Sequence, residues 1–171
     1  MFRKVEDFIA IRKLEAANTL KVFDAIPDAH SGQAVADGHW SLKRLAWHLV
    51  ESMAEMAGRI GLEVDVDKVM TDNAIADPPA TMTEVKAAYE KASSSLLKNI
   101  EAWPDEHLLI EDDMYGEKWT RSTTLGVIVC HEIHHRGEMI VLMRLAGLVP
   151  PGVYGPAKEE WASFGMEAPQ V

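Results

Sequence analysis

The sequence has a single cysteine, Cys130, in 171 residues. That excludes an intrachain disulfide and a cysteine-built zinc cage, so any metal must be held by histidine and carboxylate. Basic residues are also scarce: 17 Lys plus Arg stand against 27 Asp plus Glu, a formal net charge of -10. This balance opposes attraction to a phosphate backbone or an anionic membrane, both of which need a basic footprint. Neither nucleic acid nor a membrane is an expected partner. No stretch approaches the roughly 20 apolar residues of a membrane span. The run Met1-Phe2-Arg3-Lys4-Val5-Glu6-Asp7 reaches acidic residues before any apolar segment begins, which predicts no signal peptide and a cytoplasmic protein. No repeat, low-complexity tract or linker divides the chain, so residues 1–171 are expected to form one domain.

What is present is helical periodicity. Val5, Phe8, Ile9, Leu14, Leu20, Val22, Phe23 and Ile26 recur at three- and four-residue spacings, predicting a helix over residues 3–25 that Pro27 ends. A loop rich in Ala, Gly, Asp and Ser follows, from Asp28 to His39. Ser41 is placed to cap a second helix striped by Leu42, Leu45, Leu49, Met53, Met56 and Ile60, with Gly61 at its end. Pro78-Pro79 forbids a helix before Thr81 or Thr83, either of which can cap a third helix carrying Val85, Tyr89, Leu96 and Ile100. Tyr115 to Trp119 reads as a turn or small hairpin, and a fourth helix runs from near Ser122 to about Ala146. A short fifth helix follows Pro156, through Trp161 to Phe164. The prediction is all-α: a four-helix bundle with a short C-terminal helix.

The chemistry concentrates on the fourth helix. His30, His39 and His107 fall in loops or at a helix edge and read as solvated polar residues. At about 100° per residue, by contrast, His134, His135 and Glu138 share a side with His131, and so do Val127, Val141, Leu142 and Leu145. Those apolar residues mark that side as the expected core face. A lone core histidine usually has a plain hydrogen-bonding role. His131 and His135, one turn apart, bring two imidazoles to one point, as a divalent metal requires from a single helix. His48, flanking the stripe of the second helix, is the candidate third ligand, because bundles assemble metal sites from facing helices. Alone it reads equally as a boundary histidine bonded to a carbonyl. The same residues contain His131-Glu132-Ile133-His134-His135, a match to His-Glu-x-x-His in which Glu132 would be the general base of a zinc hydrolase.

Other features fit a packed bundle. Met53, Met56, Met139 and Met143 read as core filler, and Cys130 as a small apolar residue packed beside the site. Glu111-Asp112-Asp113 reads as a solvated face. Val129, Ile133 and Ile140 make the fourth helix apolar nearly all round, so its back is expected to be covered by the C-terminal segment or by a second subunit, giving a homodimer.

Three segments resemble one family. Trp40-Ser41-Leu42-Lys43-Arg44-Leu45-Ala46-Trp47-His48-Leu49 is similar to the second-helix segment of DinB/YfiT-like proteins. His131-Glu132-Ile133-His134-His135-Arg136-Gly137-Glu138 resembles their His-x-x-His-His-Arg-Gly-Gln/Glu motif, and Leu145-Ala146-Gly147-Leu148-Val149-Pro150-Pro151 with Tyr154-Gly155-Pro156 resembles their ending. The resemblance implies a four-helix bundle with a mononuclear divalent metal on His48, His131 and His135, with water completing the shell. His134 would be a neighbouring residue and the substitute if His135 failed. Arg136 would pair with a carboxylate of another helix or subunit, Gly137 would permit close packing, and Glu138 stands where the family often has Gln. Zinc, nickel, iron and manganese all suit three imidazoles, zinc and nickel foremost. The family includes thiol S-transferases that use low-molecular-weight thiols such as bacillithiol, and more distant mycothiol-dependent isomerases. A small-molecule transferase is therefore the leading functional expectation. A non-catalytic metal-binding or interaction bundle is the alternative.

Overall fold

The computed structural model describes residues 1–67, 70–71 and 74–170. Four long helices form where the apolar spacing predicts them: α1 at Val5–Asp24, α2 at Leu42–Arg59, α3 at Met82–Ile100 and α4 at Arg121–Leu145. Their ends follow local chemistry. The Ser41 hydroxyl accepts from the Arg44 amide at 3.3 Å, satisfying one amide that the start of α2 leaves free. Thr81, rather than Thr83, caps α3 through a reciprocal pair with Glu84. Thr120 caps α4. Gly61 follows α2 with φ +77°, a left-handed conformation that stops a helix at little cost only in glycine.

The connections hold two small antiparallel hairpins, β1 (Met70–Thr71) with β2 (Ala74–Ile75) and β3 (Glu111–Met114) with β4 (Glu117–Thr120). The second is the hairpin expected around Tyr115, turning through Tyr115 (φ 61°) and Gly116 (φ 88°). The C-terminal helix is present as a 3-10 helix over Lys158–Phe164.

α1 packs on α3 and α4, and α2 packs on the same two helices. α1 therefore stands diagonally across the bundle from α2, and α3 from α4, which the long connections after α1 and α3 permit. Apolar side chains fill the centre: Phe8, Val22, Leu42, Val50, Met53, Val85, Leu96, Ile100, Leu125 and Met143 are buried. The methionines expected as filler (Met53, Met56, Met139, Met143) are all among the buried residues. No described helix is long and apolar enough to cross a membrane.

Two expectations about α4 are corrected. From Leu125 onward its buried side chains are Leu125, Ile128, Val129, Glu132, Arg136, Met139, Leu142 and Met143, which centre about 100° round the helix from His131. Val141 and Leu145, expected inside, are 58% and 57% exposed. The histidine side is thus the shoulder of the core face. The misreading arose because two charged residues, Glu132 and Arg136, occupy the most central inward positions and look like surface. Cys130 is exposed instead of packed. Val129 on the back of α4 is buried in the bundle's own core, and Ile133 and Ile140 pack partly buried against that core.

Candidate metal centre

α2 and α4 lie side by side, and their contact brings His48 to His131 and His135. One ring nitrogen from each of the three lies within 4.8 Å of the others, an arrangement that could hold a metal ion. His131 Nε2 faces His48 Nε2 at 3.0 Å, and the His131 and His135 ring centroids are 4.4 Å apart. His134, the substitute, points away: its side chain is 65% exposed, against 12% for His135.

Carboxylates stand behind two of the three rings. Glu138 takes the Nδ1 side of His135 at 2.6 Å, leaving Nε2 for the centre. On α2, Glu51 Oε2 lies 3.6 Å from His48 Nδ1 and is ion-paired to Arg44. Each carboxylate is three residues beyond its histidine, a spacing that puts both on one helix face. Burial, followed by the proximity of His135, His48 and His134, pushes the His131 pKa down to about 4. Burial also lowers that of His135, against the opposing hydrogen bond from Glu138. Neutral imidazole with a free lone pair is the form that binds a metal. The donor set is three imidazole nitrogens without thiolate.

Glu132 does not belong to this centre. It is 3% exposed and turned inward. Its Oε2 accepts from Arg12 at 2.7 Å, while Oε1 accepts from Thr19 at 2.6 Å and Tyr89 at 2.5 Å. Arg12 also reaches the Tyr89 hydroxyl at 3.1 Å. Burial first, then Glu132, raises the Tyr89 pKa, so the phenol stays a donor. A carboxylate so engaged is no general base, and the zinc-hydrolase reading of His-Glu-x-x-His falls. Arg136 makes the interhelix pair expected of it, with Glu15 of α1, and adds the Tyr154 hydroxyl at 2.6 Å. Sequence patterning missed Arg12, Glu15 and Thr19, because charged and hydroxyl side chains at inward positions of α1 resemble its outer face.

A cleft of about 610 Å3 opens beside the histidines. His135, Glu138, Val141 and Leu142 of α4, Leu45 of α2, and Val35, Gly38, His39 and Trp40 of the preceding loop line it. His39, read as merely solvated, and the loop around it are therefore a wall of the site. The loop is held there by backbone bonds from Leu42 to Gln33 and from Lys43 to Ser31, each 2.9 Å. Asp28 ties its start to the Met82 amide at 2.7 Å. Trp40 contacts the centre directly, with its ring centroid 4.7 Å from that of His48. Tyr115 bonds Glu55 at 2.5 Å, outside the cleft.

Comparison with known proteins bears on the fold and the family. The chain is 33% identical over 175 residues to the uncharacterized protein YrdA of Bacillus subtilis strain 168, covering both chains in full. A DinB-like protein from Bacillus cereus ATCC 10987 superposes with a TM-score of 0.83 at 31% identity, over 90% of this chain and 100% of the other. A second DinB-like protein, YjoA of Bacillus subtilis, shares the fold at a TM-score of 0.63 and 20% identity, over 82% and 92% of the two chains. The DinB family profile matches residues 1–170, and with these relatives it establishes that the chain belongs to the DinB family.

Proposed function

We propose that His48, His131 and His135 ligate a single divalent metal and that the protein is a metal-dependent enzyme acting on small molecules, with thiol transfer as the leading class. The observation that carries this reading is the convergence of three imidazole nitrogens within 4.8 Å at the edge of an open cleft. A purely structural metal is normally enclosed by four protein ligands, whereas three ligands beside a cleft leave room for an exogenous one.

When bound, a divalent ion supplies Lewis acidity that lowers the pKa of a thiol and holds it as thiolate. The chain's own residues do the rest. Glu138 holds the His135 ring with Nε2 toward the centre. Arg44 holds Glu51 beside His48. Trp40, Val141 and Leu142 form apolar walls that exclude water from the approach of an electrophile. In the transfer, a carbon–sulfur bond forms as the bond from that carbon to its leaving group breaks. The leaving group departs with the electron pair, and the thiol proton passes to solvent. No protein nucleophile is needed.

Metal analysis by plasma mass spectrometry on untagged protein, beside His131→Ala, tests the ligand set. Near-stoichiometric metal in the parent that is lost from the variant supports it; protein that stays folded and takes up no zinc, nickel or manganese overturns it. Metal-loaded protein incubated with a low-molecular-weight thiol and an alkyl electrophile then tests the reaction through thioether formation. A non-catalytic metal-binding bundle is the competing reading, and it predicts that metal removal lowers the melting temperature steeply without any transfer activity.

A cytoplasmic homodimer completes the proposal. Ile11 and Leu14 on α1 and Leu145 on α4 leave apolar surface on two helices that pack together. Light scattering on the purified protein checks the dimer.

A further inference from the structure

The walls of the cleft restrict what can lie in it. Trp40 and Val141 are 42% and 58% exposed and face it together with Val35, Leu45 and Leu142. Exposed apolar side chains gathered in a concavity mark a ligand site more often than a bare surface. An indole at one wall favours a flat partner, since aromatic contact adds to simple burial.

Charge restricts it further. Among the described residues, no lysine or arginine lines the cleft, and its one carboxylate is Glu138. The guanidinium beside Trp40, that of Arg44 at 5.7 Å from the ring, is already committed to Glu51 and to the Ala76 carbonyl. An anionic group placed at the end of the cleft away from the histidines, beyond close reach of an ion held there, would lose hydration, meet Glu138, and find no lysine or arginine in return. A cation or an uncharged group meets no such penalty, and a cation is attracted by both the carboxylate and the indole face.

We propose that this cleft binds a compact aromatic or aliphatic ligand whose portion remote from the histidines is uncharged or cationic, and that it rejects anions. The inference rests on reading the site as one that admits a small molecule, and it names that molecule's class. In a thiol transfer it describes the electrophile. Trp40 is the stacking wall and Glu138 the source of charge selection.

Three probes of similar size that are poor metal ligands test this: benzyl alcohol, benzyltrimethylammonium and benzenesulfonate. Each is titrated by calorimetry into zinc-loaded protein, Trp40→Ala and Glu138→Gln, and into chelator-treated protein. The expected result is that the alcohol and the ammonium bind and compete with each other, while the sulfonate binds at least about tenfold more weakly. Trp40→Ala weakens the alcohol ~2–10-fold, and Glu138→Gln, compared in the chelator-treated protein, narrows the gap between ammonium and sulfonate. Sulfonate binding as tight as ammonium binding, no binding of any probe at millimolar concentration, or indifference to Trp40→Ala overturns the proposal. Probe binding that persists in protein unable to take up metal would defeat the metal reading alone. A loaded metal with no probe preference would defeat the ligand class alone.

Discussion

Arg12 of α1 and Glu132 of α4 form a 2.7 Å ion pair in the bundle core, one residue along the chain from His131. Adjacent positions on α4 thus serve separate ends: one residue points to the site, and the next is clamped by a guanidinium, a phenol and a hydroxyl. Removing one partner of such a pair leaves a buried charge unmatched, at ~3–5 kcal/mol. Glu132→Ala is expected to lose that much stability in urea unfolding. A Arg12→Met, Glu132→Leu double variant, which removes both charges, should recover much of it. Loss of metal from folded Glu132→Ala protein would show that the two functions are not separable.

The two neighbouring histidines of α4 should differ sharply. His131→Ala is expected to abolish metal binding, whereas His134→Ala should retain it, because the His134 ring is 65% exposed and directed toward Glu138. Equal metal loss in both variants, measured by mass spectrometry, would contradict the ligand assignment.

Glu138→Ala removes the carboxylate that orients His135. Groups in that position typically contribute about 10–100-fold to metal affinity. The expected outcome is a weakening of that size in chelator competition, with an unchanged melting temperature for the metal-free protein, since Glu138 is substantially exposed.

The metal-free protein should lose stability in mild acid. The His131 pKa lies at about 4, below the ordinary imidazole value of 6.5. Between these values the unfolded chain binds the proton more strongly, so stability falls as pH drops through that window and is fully present above it. Melting temperatures of the metal-free protein across the window should show this slope, and His131→Phe should show a shallower one. Parallel slopes would mean that His131 is not the group responsible.

The helices were legible because α2 and α3 have clean apolar stripes and recognisable caps at Ser41 and Thr81. The histidine cluster was legible through the four-residue spacing of His131 and His135. Two things were hidden. The inward face of α1 carries Arg12, Glu15, Asn18 and Thr19, so apolar counting favoured Leu14, which is 51% exposed. Arg12, Glu15 and Thr19 satisfy Glu132 and Arg136 across the bundle, a relation between distant segments that no local pattern carries. The cleft was hidden for a similar reason: residues 35–40 form its wall only once the loop folds back on the start of α2.

Glu132 and Arg136 are keyed to α1 by buried ion pairs, and each follows a histidine of the candidate metal centre in the chain. A step of one residue is about 100° of helix rotation, so any turn of α4 about its own axis that moved His131 or His135 would drag a charge out of its partner's reach. The aim of the two α4 imidazoles is set by an electrostatic key in the interior. The loops around the cleft can therefore vary in shape and sequence while the two imidazoles of α4 keep their places.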